Sequence, residues 1–190
     1  FFAVFNIETT HESRYPRRGA EHAKDIPDLK PEQLQDPAKL KTLPPFYPDT
    51  PEVRRDWANV YECLTQMDIT FAKRLKEIED AGLADDTIVF FWGDHGVGQP
   101  RCKRWLYESS THVPLMIRIP AKFRAAGQGK PASVDDQLVS FIDLAPTVLN
   151  LAGVKLPGQF QGRAFLGRWL RRHSRIGPRR PTRSQGPRLP

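Results

Sequence analysis

The sequence predicts an α/β protein, on the strength of two strongly apolar runs and one long amphipathic segment between them. Phe1-Phe2-Ala3-Val4-Phe5 through Ile7 is apolar and aromatic without alternation, which suits a strand buried on both faces, as in a parallel sheet. Val53, Trp57, Val60, Leu64, Phe71, Leu75 and Ile78 recur at three-, four- and seven-residue steps, the period of a helix with one apolar face. Asp85-Asp86 then turns the chain into Thr87-Ile88-Val89-Phe90-Phe91-Trp92, β-branched and aromatic, which reads as a second buried strand.

The remaining elements follow in order. From Arg14 through Pro51 the chain holds eight prolines and little periodicity, so this stretch reads as a long surface excursion with at most one short helix. Asp49 or Thr50 before Pro51 supplies the cap of the long helix, and Gly82 its stop. Val113 to Ile119 reads as a third strand closed by Pro120, residues 123–131 as a polar loop, and Leu138 to Leu151 as a helix with Gly153 after its end. Asp68 falls on the apolar side of the long helix, where a satisfied buried carboxylate is expected.

Composition bounds the function. With 190 residues, 39% hydrophobic and 27% charged, the chain is neither collagen-like, coiled coil nor wholly disordered. The formal charge of +7 is local: residues 168–190 hold eight Arg and no acid, leaving 21 basic against 22 acidic residues in the body. That Arg- and Pro-rich tail is expected to be disordered and solvated, with a nucleic-acid-binding arm as the alternative. Cys63 and Cys102 have no disulfide framework or zinc-ligand spacing, and no apolar run reaches the ~20 residues of a membrane span. The opening at Phe1, without Met or an export signal, reads as a chain cut from something longer.

Chemistry concentrates after the second strand. There Gly93-Asp94-His95-Gly96-Val97-Gly98 sits at the carboxyl end of a strand, where α/β sheets bind ligands. Neighbouring side chains of a regular strand diverge, so Asp94 and His95 can share one target only if the flanking glycines break the pleat. Carboxylate and imidazole would then form half of a divalent-cation site. Just downstream, Arg101-Cys102-Lys103-Arg104 adds the compact positive charge that an anionic substrate requires.

The span Asp86 to Gly96, the following Lys103 to Glu108 and Val113-Pro114-Leu115 resemble the sulfatases of the alkaline-phosphatase superfamily. Phe1 through His11, Leu43 to Pro51 leading to Asp68, and Asp143-Leu144-Ala145-Pro146-Thr147 through Gly153 agree with them. The resemblance covers about residues 1–167 and implies a three-layer α/β/α fold, with residues 1–167 as part of the catalytic domain and 168–190 as the tail. It also implies that Asp94 and His95 are metal ligands, with calcium the usual ion and manganese or another transition ion also suited to the imidazole, and that Lys103 and His11 are catalytic groups contacting sulfate and leaving oxygen. Tyr107 and His112 are candidates for touching substrate or for packing the loop. The family's formylglycine nucleophile arises in a Cys/Ser-x-Pro/Ala-x-Arg motif; Cys63 and Cys102 do not fit it, so the chain resembles the middle to C-terminal part of such a domain. The activity implied is hydrolysis of a sulfated small molecule or carbohydrate. The alternatives are a phosphodiesterase or phosphonate hydrolase of the same superfamily, or nucleic-acid binding through the tail.

Overall fold

The computed structural model describes residues 1–15, 29–125 and 131–167. The chain divides into two compact units, Phe1–Pro120 and Ala121–Pro190. The tail expected over 168–190 lies outside the described residues.

The first unit is organised by helix α1, Pro51–Asp80. Thr50 caps it as the sequence suggests: its hydroxyl accepts from the Val53 N–H at 3.3 Å, and Pro51 occupies the first helical position, where no N–H is required. At the other end Leu83 N–H donates to the Ile78 carbonyl at 3.0 Å and Gly82 N–H to that of Glu79 at 2.8 Å. This closure needs a left-handed residue, and Gly82 has φ +68°. Arg54, one turn into α1, donates to the carbonyls of Pro37 and Leu40 at 3.3 and 3.0 Å and forms a bidentate pair with Asp49. The proline-rich excursion is thereby tied to the helix. Its described part holds two 3₁₀ turns, Pro31–Gln33 and Pro37–Lys39, each opened by a proline with preset φ, rather than one short helix at most.

The deepest face of α1 shares only Val60 with the positions that the apolar periodicity marks. Ala58, Asn59, Val60, Glu62, Cys63 and Gln66 are buried, while Trp57, Leu64 and Phe71 are half-buried. The buried carboxylate is Glu62, which accepts from the Gln35 N–H at 2.8 Å. Asp68, expected to be buried, is exposed, because it lies past the turns of α1 that the proline-rich segment covers.

Strand β1, Val89–Trp92, pairs with β2, Leu115–Arg118. The pairing is antiparallel, with Val89 opposite Arg118 and Trp92 opposite Leu115. The link between them carries only a four-residue helix, α2 (Glu108–Thr111), so the chain folds straight back instead of crossing over. Phe71 of α1 meets Phe91 of β1 with ring centroids 4.8 Å apart, a contact of ~0.5–1.5 kcal/mol beyond its area. The run Phe1–Ile7 is not a strand. Phe1 and Phe2 are 94% and 76% exposed, and the sheet of the described residues has two strands, neither of which pairs with this run. Beyond it, the 3₁₀ turn Glu8–Thr10 packs against α1.

The second unit is built on α3, Leu144–Leu151, preceded by the 3₁₀ turn Phe141–Asp143. The helical pattern read from Leu138 starts later, because Ser140 N–H donates to the Asp143 carboxylate at 3.0 Å and fixes the start there. Gly153, φ +73°, ends α3 as expected. Asp143, Thr147 and Asn150 form a polar stripe that holds the segment 163–166. Asp143 accepts from Arg163 N–H at 2.7 Å, the Thr147 hydroxyl from Phe165 N–H at 3.1 Å, and Asn150 donates to the Leu166 carbonyl at 2.7 Å.

Candidate active site

Two segments 92 residues apart in sequence meet in the first unit. The first is the short turn after the N-terminal run. His11 caps the 3₁₀ turn Glu12–Arg14, and Tyr15 holds that turn in place: its hydroxyl donates to the Thr10 carbonyl at 3.2 Å and accepts from Gly98 N–H at 3.4 Å. The second is the turn carrying the basic stretch. Cys102 N–H donates to Gln99, Lys103 N–H to Val97 at 3.0 Å and Trp105 N–H to Cys102. Arg101 and Arg104, on either side, adopt left-handed φ of +62° and +76°, a cost for residues with side chains that the surrounding bonds must hold. Among those bonds, Ser109 donates to the Arg101 carbonyl at 2.6 Å, and the Tyr47 hydroxyl donates to that of Pro100. Tyr47 is pushed up to about 12, chiefly by burial.

The basic stretch thus divides into three fates. The Arg101 guanidinium lies between the rings of Phe46 and Tyr107, 4.5 and 4.6 Å from their centroids. Arg104 is 69% exposed and reaches Glu12 Oε1 at 2.7 Å. Lys103 alone turns inward, 17% exposed, with its ammonium 3.2 Å from His11 Nε2 and 2.5 Å from Glu12 Oε2. His11 Nδ1 accepts from the Ser13 N–H at 3.3 Å, the bond that caps the turn, which places the ring proton on Nε2, 3.4 Å from Glu12 Oε2. Glu12 Oε2 therefore faces both the Lys103 ammonium and the imidazole N–H.

Glu12 has no counterpart in the residues that the sequence singles out. The only local signal was an acid next to His11, and its partners lie 91 and 92 residues away. Its carboxyl is held down at about 2, against an ordinary 4.5, first by the hydrogen bond from Lys103. A carboxyl depressed on folding stabilises the folded state above its unfolded value and loses that contribution as pH falls toward the folded one. The acid limb of stability between about pH 4.5 and 2 should therefore be shallower in Glu12→Gln than in the parent, as followed by urea unfolding across that range.

Asp94 and His95 follow β1 directly, and the pleat does break there. The His95 imidazole has Nδ1 2.7 Å from the Gly96 carbonyl, which can only accept, so Nδ1 carries the proton. Nε2 then points its lone pair toward Asp94 Oδ2, 3.4 Å away. Two atoms at that separation can both touch one cation at ~2.0–2.6 Å, and a backbone carbonyl fixing the tautomer is the usual support of a ligating histidine. The donor chemistry fits a divalent ion. The donor number does not complete a site: Asp94 is 82% exposed, and among the described residues no cluster of three His, Cys, Asp or Glu is placed to hold a metal. Backbone links this pair to the Lys103 group, since Val97 accepts from Lys103 N–H and Gly98 lies against Glu12.

Tyr107 and His112 are loop residues here. Tyr107 carries Arg101 on its ring, and His112 Nδ1 lies 3.0 Å from Glu108 Oε1 on the surface. Cys63 and Cys102 are buried, unpaired thiols, with Cys63 pushed up to about 11 by burial. No helix among the described residues is long and apolar enough to cross a membrane.

A short helix-flanked sheet whose strand end carries a carboxylate–imidazole pair, beside a lysine–histidine–glutamate cluster, defines an α/β protein with its ionisable groups gathered past one strand end. The sulfatase family model matches residues 1–154, and the chain belongs to the sulfatase family, with the alkaline-phosphatase-like α/β fold. The chain is 36% identical to an ulvan-active sulfatase of Formosa agariphila, over 89% of this chain and 31% of that protein. It is 36% identical to the N-sulphoglucosamine sulphohydrolase of Homo sapiens, over 70% of this chain and 25% of the relative. Among solved structures it resembles a phosphonate monoester hydrolase from Silicibacter pomeroyi, with a TM-score of 0.53 and 27% identity over 69% of this chain and 26% of that one. The chain therefore spans a third or less of the length of these relatives.

Proposed function

We propose that this chain contributes the leaving-group side of a sulfate-ester hydrolysing site, on a sulfated carbohydrate or small molecule. The observation that carries the reading is the convergence of His11 and Lys103, 3.2 Å apart. Lys103 would donate a hydrogen bond to a sulfate or bridging oxygen, where negative charge grows as the S–O bond breaks. His11 would supply from Nε2 the proton that the departing oxygen requires. Asp94 and His95 would hold a divalent ion, calcium in this reading, which when bound neutralises charge on the sulfate. The sequence contains no Cys/Ser-x-Pro/Ala-x-Arg segment, so none of its residues fits the formylglycine nucleophile, and no step is assigned through it. The relatives named for ulvan and for N-sulphoglucosamine favour a saccharide substrate.

The second reading, a phosphonate or phosphodiester hydrolase, rests on the Silicibacter pomeroyi neighbour. Both are tested in the whole protein by comparing sulfate release from a sulfated saccharide with cleavage of an aryl phosphonate monoester, with and without a chelator. Sulfate release faster than phosphonate cleavage, and lost on chelation, supports the first. Faster phosphonate cleavage replaces it with the second. Turnover that chelation leaves unchanged removes Asp94 and His95 as ligands.

A further inference from the structure

We propose that Glu12 is a positioning residue: its carboxylate holds the Lys103 ammonium against the His11 imidazole, so that the remaining N–H groups of the ammonium face the anion. The inference rests on the functional reading above and adds to it the group that orients its lysine.

Three observations carry it. Glu12 spans two cations, with Oε2 on Lys103 at 2.5 Å and Oε1 on Arg104 at 2.7 Å, so the carboxylate is fixed from both oxygens and cannot swing without breaking one contact. The fold makes room for it: a methyl on Gly98 would come within 2.5 Å of the Glu12 Cβ, so only glycine at 98 lets this turn approach. Tyr15 closes the same approach from the other side, bonding Gly98 N–H and the Thr10 carbonyl at once. A lysine stem has many rotamers, and the neighbouring Arg104 would repel the ammonium; a carboxylate between the two removes both problems. Glu12 does not touch the anion itself. It lies on one side of the ammonium, with His11 Nε2 3.4 Å from the same oxygen.

The test has an arm on the 190-residue chain and an arm on the whole protein. In the chain, a nuclear Overhauser contact between the Lys103 ε-methylene and the His11 ring proton on Cε1 should be present in the parent and lost in Glu12→Gln, in a chain that still melts cooperatively at neutral pH. In the whole protein, Glu12→Gln should lower kcat on a sulfated saccharide ~10-fold or more while KM stays within ~3-fold, the signature of an interaction felt in the transition state. Combined with Lys103→Ala it should cost nothing further, because both changes remove the same contact. Gly98→Ala, which drives a methyl into Glu12, should reproduce the Glu12→Gln effect by an independent route. Persistence of the Lys103–His11 contact in Glu12→Gln overturns the proposal, as does full additivity with Lys103→Ala. A lower KM at unchanged kcat also overturns it, since the carboxylate would then be competing with the anion. Lys103→Ala retaining parental turnover while the contact in the chain is lost as expected would instead sink the functional reading, and the catalytic role of Glu12 with it.

Discussion

Replacing Lys103 by alanine in the whole protein should lower turnover ~10²–10³-fold, with a much smaller effect on substrate binding, the loss expected for one preorganised donor to developing charge. The ammonium is the only inward-turned cation of its stretch, and it lies 3.2 Å from an imidazole. Arg104, next in sequence, shares Glu12 but is 69% exposed, so Arg104→Ala should stay within a few-fold of the parent. Lys103→Arg should also fail, because a planar fork does not fit between His11 Nε2 and Glu12 Oε2 as a compact ammonium does. The measurement is steady-state kcat and KM for the three variants. Equal and mild losses at 103 and 104 would reduce the cluster to a surface ion-pair network.

Gly96→Ala should be the most damaging small change in the first unit. The added methyl would stand 2.1 Å from the Ser109 carbonyl oxygen and 3.0 Å from Ser110 Cα, both backbone atoms of α2 and so unable to rotate away. Overpacking of this kind costs ~1–3 kcal/mol, which corresponds to ~5–10 °C in a thermal melt for a unit of this size. The consequence reaches the strand-end pair, because the Gly96 carbonyl is what accepts from His95 Nδ1 and sets its tautomer. The divalent-ion binding proposed for Asp94 and His95 should weaken together with the melt, as read by calorimetry on the whole protein. Gly158→Ala, where an added methyl meets nothing within 4 Å, serves as the neutral control. A Gly96→Ala melt as unperturbed as that control would mean that the loop is free to move off α2.

What was legible in the sequence was local. Helix α1 could be placed almost to the residue, because Thr50, Pro51 and Gly82 act on their own backbone and the apolar steps repeat every turn. The Asp94–His95 pair was legible because its glycines and its strand are contiguous with it. Phe1–Ile7 was misread for the complementary reason: hydrophobicity says what a segment is suited to, whereas a strand also needs an edge to pair with, and the two-stranded sheet does not pair with it. The direction of β2 depended on how the segment 93–114 folds, which no pattern within β2 reveals. Asp68 and Glu62 lie six residues apart on one helix, and only the path of the proline-rich segment decides which is covered. The His11–Glu12–Lys103–Arg104 cluster is the strongest case. Lys103 and His11 could be nominated from a family resemblance, but the carboxylate joining them to Arg104 has partners 91 and 92 residues away and no periodicity to announce it.

The polar stripe of α3 decides where the chain can be shortened. Thr147 is completely buried, and its hydroxyl is the acceptor for Phe165 N–H, while Gly167 adopts φ +109° against Asn150, where an added methyl would meet the amide at 2.5 Å. A stop codon placed before residue 163 would strip the donors from Asp143 and Thr147 and the acceptor from Asn150 together, opening three buried or half-buried polar groups at one short helix. Gly167 is therefore the earliest end that leaves α3 clothed, and anyone trimming the arginine-rich terminus for expression has that residue as the limit.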